Sequence, residues 1–283
     1  SLTEAYCFKS FKSEPDSSLL GRILACRNTD GGFGWFPNMP SSQHITSGIT
    51  TMLLRLNSLQ GKTSATNITD KAIKYLDGKV AQEIAEMKKD EKKGIKPSVW
   101  NSHLDYLNIL RMSKGKLSAQ ASANSKYLLP ILQKHCSNLN IAAKAKAALV
   151  LNDAGCSKEA MTVLKSILEH TVSDKAKGIY FDSFNAPSFW NSYKIPTQVA
   201  ALEAVRTLTP DDKATQEGML TWILQSKRTQ GWETALNTAD AVYALLSTTK
   251  TDTSLVHFGT ARPANFSLNL QNGKSIDVMQ NAQ

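Results

Sequence analysis

Residues 31–46 read GGFGWFPNMPSSQHIT, a run of glycines, aromatic residues and prolines that leads into a stretch with helical character. Glycine allows tight turns at positive φ, proline stiffens the backbone, and serine is a favoured residue directly before a helix. We therefore predict that this segment joins one helix to the next and that Ser41 or Ser42 caps the second helix. We expect its aromatic side chains to fill the gap between neighbouring helical hairpins: Phe33, Trp35 and Phe36.

Most of the chain between residues 15 and 250 is predicted to be helical, and the helices fall into two alternating classes. The first class is longer and amphipathic: 16–28, 67–93, 117–136, 157–172 and 211–226. The second class is shorter and apolar on nearly all sides: 44–58, 101–112, 139–153, 195–208 and 237–249. A helix that is apolar all round is buried all round, so the alternation predicts an inner layer surrounded by an outer one.

An internal repeat supports the layered arrangement. Residues 96–103, KPSVWNSH, are echoed 90 residues later by residues 186–193, APSFWNSY. Each copy leads into a helix of the buried class, and the spacing corresponds to two hairpins of about 45 residues in a repeat architecture. The predicted fold class is therefore all-α, a two-layer α/α toroid of repeated helical hairpins.

The character of the sequence changes after residue 250. Residues 266–270 alternate between apolar and polar, 271–274 read QNGK as a hairpin turn, and 275–278 are expected to return as a second strand. We predict a toroid domain over 1–250 and, over 251–283, the start of a β-domain or an edge hairpin.

The composition excludes a transmembrane helix in this sequence and a fibrous chain. Hydrophobic residues make up 41% of the 283 positions, which is ordinary for a chain with a real core, and no apolar run is long enough to cross a membrane. The chain begins SLTEAYCFKSF, without an initiator Met or the features of a signal peptide, so we interpret it as a mature or excised fragment.

The formal charge of +9 raises the question of nucleic-acid binding. Five of the lysines lie in the run 87–96, MKKDEKKGIK, where two acidic residues interrupt the basic ones. Nucleic-acid sites usually combine arginines and aromatic residues on one face. We therefore predict that this run is the solvated end of a long helix, and we expect no nucleic-acid partner and no direct membrane insertion.

Two segments resemble a known family. The stretch from Asp30 to Asn57, with GGFGWF before a buried helix, and the stretch from Gln230 to Ser247, QGWETALNTADAVYALLS, resemble the thioester domain of bacterial α2-macroglobulins. The resemblance implies an α/α toroid similar to that of terpenoid cyclases and protein prenyltransferase β-subunits, followed by a β-sandwich. It also implies neighbouring macroglobulin-type β-domains as partners, a role in trapping proteases, and a periplasmic or cell-envelope location, with a lipid anchor in some full-length parents.

The sequence departs from that family in two respects. Five outer and five inner helices are predicted, where the family has six of each, and the missing pair would lie towards the N-terminus. The family's thioester needs Cys-x-Glu-Gln, and none of the four cysteines is followed by Glu-Gln at that spacing: Cys7, Cys26, Cys136 and Cys156. Either the motif lies upstream or this member lacks it, so no catalytic residue is carried over. Pairing of Cys136 with Cys156 stays open.

The alternative is a toroid enzyme that acts on a glycan or an isoprenoid lipid in the central cavity. Standard motifs of hydrolases, metalloproteases and nucleotide-binding proteins are not found. Four acids are expected near the starts of inner helices, where a glycosidase would place its two carboxylates: Asp105, Asp182, Glu233 and Asp240. The alanine-rich inner helices instead favour a centre packed with Leu, Val and Ala.

We therefore predict a non-enzymatic interaction domain without cofactor or metal. The candidate surface or cavity contacts are the following residues: Trp35, Phe36, His44, Trp100, Trp190 and Trp232. His44 and His103 are expected to be hydrogen-bonded spacers at the starts of inner helices.

Overall fold

Ten α-helices and two β-hairpins make up the part of the chain that the computed structural model describes, namely residues 17–60, 66–181, 194–229, 232, 234–247, 266–269 and 275–278. The helices are α1 (Ser17–Leu24), α2 (Gln43–Gln60), α3 (Thr66–Glu91), α4 (Asn101–Ser113), α5 (Ala119–His135), α6 (Ile141–Asp153), α7 (Ser157–Leu168), α8 (Lys194–Leu208), α9 (Lys213–Thr229) and α10 (Ala235–Leu246). The strands are β1 (Thr171–Asp174), β2 (Gly178–Phe181), β3 (Phe266–Asn269) and β4 (Ser275–Val278). Each helix predicted from the sequence is present, with ends shifted by a few residues.

The even-numbered helices pack against one another in series, α2 on α4, α4 on α6, α6 on α8 and α8 on α10. Small side chains allow this close approach, since α6 buries Ala143, Ala145, Ala147 and Ala148 on different sides of the helix. Helix α8 is likewise buried over nearly its whole circumference. These five helices form the predicted inner layer.

The odd-numbered helices from α3 to α9 cover the inner layer from outside. Helix α7 shows the pattern most simply, because its buried residues form one stripe at helical spacing: Ala160, Val163, Leu164 and Ile167. Helix α3 packs on α2, α4 and α5, and α9 packs on α8 and α10. The prediction of two helical layers is confirmed.

The ring closes where the first inner helix meets the last. The guanidinium of Arg55 on α2 donates a hydrogen bond to the carboxylate of Asp240 on α10. The same guanidinium lies 4.6 Å from the centre of the Tyr243 ring, also on α10. These side-chain contacts link the two ends of the inner layer.

One prediction about the seventh helix was wrong. The helix expected over 157–172 ends at Leu168, and Thr171 begins strand β1, which pairs antiparallel with β2. The hairpin is stabilised by contact with α9, because Gly178 and Gly218 allow the two backbones to approach more closely than any side chain would permit.

The C-terminal hairpin is confirmed. Strand β3 pairs antiparallel with β4, with Phe266 opposite Val278 and Asn269 opposite Ser275. The predicted turn at 271–274 lies outside the described residues, and the domain boundary at residue 250 stays a prediction.

A buried carboxyl group fixes α3, α4 and α5 to one another. Asp77 on α3 accepts hydrogen bonds from the Tyr106 hydroxyl and the Ser118 hydroxyl, both at 2.7 Å. The Asn124 side chain donates to the Asp77 carbonyl oxygen at 2.9 Å. Burial, reinforced by the hydrogen bond to Asp77, raises the pKa of Tyr106. The phenol is therefore a permanent donor to this cluster.

Tyr106→Phe should lower the free energy of unfolding by about 2 kcal/mol, because a buried acceptor loses a hydrogen bond from a matched donor. Chemical denaturation measures the effect. Tyr127→Phe is the control, since the Tyr127 hydroxyl donates to Glu91 at 2.8 Å in an exposed position. Equal losses in the two variants would contradict a structural role for the Asp77 cluster.

Candidate functional site

The loop between α1 and α2 is held rigidly by side-chain hydrogen bonds. The Asn28 amide donates to the Met39 carbonyl oxygen and to the Ser41 hydroxyl, both at 2.9 Å. The Asp30 carboxylate accepts from the Gly32 backbone N–H at 2.9 Å and from the Ser41 hydroxyl at 2.8 Å. The loop therefore presents its side chains in fixed positions.

Gly31 is required by this loop. Its φ of +89° lies in the left-handed region, and a Cβ there would lie 2.5 Å from the Lys71 carbonyl oxygen on α3. Ser42 precedes the first residue of α2, and its hydroxyl accepts from the Ile45 backbone N–H at 3.4 Å. The cap prediction is confirmed for Ser42, whereas Ser41 bonds within the loop.

The aromatic residues of this loop divide into one buried and two exposed side chains. Phe33 is completely buried, and its backbone N–H donates to the Thr46 hydroxyl at 2.9 Å. Trp35 and Phe36 are 59% and 67% exposed, so the prediction that they fill a gap between hairpins was wrong. The tight turn at Asn38, with φ of +67°, and the bonds around it direct them outward.

Trp100 repeats this arrangement at the start of α4. It is 54% exposed and stacks on His103, with ring centroids 5.3 Å apart. Trp35 similarly stacks on the exposed His44 near the start of α2, at 6.3 Å. Both indoles therefore lie at the N-terminal ends of inner helices and at the same end of the toroid. We call the exposed apolar residues at this end the aromatic end face: Trp35, Phe36, Met39, Ile95 and Trp100.

Glu83 on the outer helix α3 contacts residues at the starts of both α2 and α4. Its carboxylate lies 3.0 Å from Nε2 of His103 and accepts from the Gln43 amide at 3.3 Å. Nδ1 of His103 accepts the Trp100 backbone N–H at 3.2 Å, and its Nε2 makes a close charge contact with Glu83. Burial opposes ionisation of Glu83, but the hydrogen bonds from His103 and Gln43 outweigh it and lower the pKa. His103 is thus the hydrogen-bonded spacer that was predicted.

One of the predicted contact residues, Trp232, does not join the aromatic end face. Trp190 lies outside the described residues. Trp232 is only 8% exposed, and its indole N–H donates to the Ile223 carbonyl oxygen at 3.1 Å. Trp232 is a core residue that anchors the segment before α10 to α9.

A second candidate site lies on the toroid axis. Arg111 on α4 donates to Glu203 on α8 at 2.8 Å, and Arg55 on α2 lies 3.8 Å from the same carboxylate. Helices α2 and α4 are not neighbours of α8 in the ring, so these contacts cross its centre. Lys146 on α6 donates to Asp105 on α4 at 2.6 Å. We expected the centre of the toroid to be packed with Leu, Val and Ala, but the structure places ion pairs there.

The charges of this central network support one another. Burial opposes the charge on Arg55, but Asp240 and Glu203 outweigh it and raise the pKa of its guanidinium. Asp105 raises the pKa of Lys146 in the same way. Asp105 and Asp240 each pair with a cation, instead of standing free as the two carboxylates of a glycosidase would. Asp182 and Glu233 lie outside the described residues.

The cysteines that the structure describes form no disulfide bond. Cys136 and Cys156 are both free, and burial raises the pKa of the Cys136 thiol. Within the described ranges, no three His, Cys, Asp or Glu side chains are grouped so that they would hold a metal ion. None of the described helices has both the length and the apolar character that a membrane span requires.

Comparison with known proteins finds similarity in structure but not in sequence. No family model and no curated protein matches the sequence. Native Escherichia coli α2-macroglobulin, from domain MG7 to its C-terminus, matches with a TM-score of 0.54 and 12% identity over 98% of this chain and 42% of that one. Salmonella α2-macroglobulin reacted with methylamine gives 0.51 and 12%, over 98% of this chain and 17% of that one.

A third structure, E. coli α2-macroglobulin activated by porcine elastase, gives a TM-score of 0.52 and 13% identity over 98% of this chain and 24% of that one. The chain thus spans less than half the length of each of these structures. Its similarity to bacterial α2-macroglobulins is confirmed at the level of the fold.

Glu83→Gln should make stability less dependent on pH. A carboxylate with a lowered pKa stabilises the fold above its ordinary pKa of 4.5, and this contribution disappears as the pH falls through the folded-state value. Urea unfolding between about pH 3 and 7 should show wild type and variant converging at the acid end. Glu86→Gln on the exposed face of α3 is the control. A constant difference at all pH values would contradict this role of Glu83.

Arg55→Met should cost about 3 kcal/mol of unfolding free energy, because it leaves Asp240 and Glu203 without a shared cation in the ring centre. Lys89→Met is the matched control. Lys89 is 64% exposed and its ion-pair partner Glu86 is 69% exposed, and such surface pairs contribute about 0–1 kcal/mol. Thermal or chemical unfolding distinguishes the two. A loss at Arg55 no larger than that at Lys89 would show that the central network contributes little.

Proposed function

We propose that this chain is the toroid domain of a larger α2-macroglobulin-like protein of the bacterial cell envelope, and that the parent protein traps proteases. The observation that carries the proposal is the shared fold with solved α2-macroglobulins over 98% of this chain. The chain's own role is non-enzymatic and lies in protein–protein contact. The cation-paired acids of the ring centre support a non-enzymatic role.

The aromatic end face is the docking surface in this proposal, and its partner is a neighbouring macroglobulin-type β-domain of the same parent. Exposed aromatic side chains are the residues that most often dominate the binding energy of protein interfaces. Here the hydrogen bonds around Asp30 and Glu83 hold Trp35 and Trp100 in place before any partner arrives. Binding to such a preorganised surface costs less conformational entropy.

The thioester question separates two modes of trapping. The described cysteines are free and none is followed by Glu-Gln, so this chain does not itself supply the family's thioester. A parent with the motif in another segment would capture proteases covalently. A parent without it would trap them sterically.

The first test uses the full-length parent protein. After incubation with elastase, trapping should block cleavage of a large protein substrate while hydrolysis of a small chromogenic substrate continues. Methylamine treatment then distinguishes the modes, since incorporation with release of one thiol indicates a thioester. Full elastase activity on both substrates, at any ratio of parent to elastase, would refute protease trapping.

The second test addresses the docking surface. Trp35→Ala should weaken association between this chain and the remaining part of the parent by about 30-fold, as expected for an aromatic residue at the centre of an interface. Leu224→Ala is the matched control, because Leu224 is a 50% exposed apolar residue on α9. Calorimetric titration measures both. If Leu224→Ala weakens association as much as Trp35→Ala, the aromatic end face is not the docking surface.

A further inference from the structure

Three arginines from three inner helices gather around Tyr243 on α10. Arg55 lies over the Tyr243 ring, and Arg206 on α8 donates to the Ala244 carbonyl oxygen at 2.9 Å and to the Ser247 hydroxyl at 2.8 Å. The Arg111 side chain donates to Glu203, which lies one turn before Arg206 on α8. Burial raises the pKa of Tyr243, and the charges of all three arginines oppose that shift. One guanidinium therefore contacts the Tyr243 ring, and the other two bond to groups in the same region, Ala244, Ser247 and Glu203.

This arginine cluster, Arg55, Arg111 and Arg206, carries more positive charge than the carboxylates paired with it carry negative charge. Three guanidinium groups face two carboxylates, those of Glu203 and Asp240, which leaves an excess of one positive charge. Lys146 and Asp105 pair with each other and leave this balance unchanged.

Two guanidinium nitrogens of the cluster lack an acceptor. Nε of Arg55 and Nη2 of Arg206 are buried, and neither donates to any group among the described residues. Buried donors without partners are rare in folded proteins, because each loses its hydrogen bonds to bulk water without replacement. Burial lowers the pKa of Arg206.

We propose that the arginine cluster binds one small oxyanion, a carboxylate or a phosphate group. Guanidinium groups present planar pairs of N–H donors that match the oxygens of both, and a bound anion would also neutralise the excess charge. The Arg55 and Arg111 side chains are only 15% and 14% exposed, so a ligand that reaches them must be small or must present only its tip.

This site is separate from the aromatic end face. Arg111, Arg206 and Tyr243 lie in the last turns of α4, α8 and α10, whereas Trp35 and Trp100 lie beside the first turns of α2 and α4. Anion binding therefore does not rest on the docking role, and either proposal can fail without the other.

The test uses the 283-residue chain with inorganic phosphate and, separately, acetate as probes. Isothermal titration at constant ionic strength, balanced with sodium chloride, should show one site. At about ten times the measured Kd, the ligand should raise the unfolding midpoint by about 3–6 °C for a chain of this size. Binding of phosphate alone, acetate alone or both supports the site and identifies its preferred anion.

Two variants localise the binding. Arg206→Met should weaken it tenfold or more, because a charge-assisted hydrogen bond is lost, and Arg206→Lys should weaken it less while preserving the charge and the fold. Arg22→Gln, at an exposed arginine on α1, is the matched control and should leave the Kd unchanged. The proposal is overturned if wild-type protein binds neither probe, or if Arg22→Gln weakens binding as much as the Arg206 variants do.

Discussion

The toroid depends on one ion pair between helices that are far apart in the sequence. Arg55 and Asp240 join the first and last inner helices of the described ring, and no chain connection enforces that contact. Each of the other inner contacts joins a helix to the next inner helix along the chain. Because Arg55 also approaches Glu203 and covers the Tyr243 ring, one guanidinium brings together α2, α8 and α10. The link between the two ends of the alanine-rich inner layer is thus an electrostatic contact between side chains.

Hydrophobic periodicity predicted the helices because each class of helix has a distinct pattern of burial. It did not reveal the central network, although Lys146 and Glu203 stand out as charged residues in buried helices. Their partners, Asp105 and Arg111, lie on other helices, and spacing along one helix says nothing about contacts across a ring. The β1–β2 hairpin was missed because its strands are four residues long and its stability comes from contact with α9.

The candidate site was predicted in part. The sequence placed Trp35 and Trp100 at the starts of buried helices, and their positions at one end of the toroid follow from that alone. Exposure was harder to predict, because a tryptophan at a repeat junction suits the core as well as the surface. Phe33 is buried whereas Trp35 is exposed, and the difference depends on hydrogen bonds around Asp30 and Ser41 that no local pattern shows. Trp232 is buried in another setting, where its indole donates to Ile223 on α9.

The common direction of the inner helices has an electrical consequence. Contacts between residues late in α2, α4, α8 and α10 show that these helices run the same way, so their backbone dipoles add instead of cancelling. The positive ends lie at the aromatic end face, and the negative ends lie beside the three arginines. An approaching acidic surface is therefore steered to the aromatic end face by the backbone itself, before any side chain makes contact.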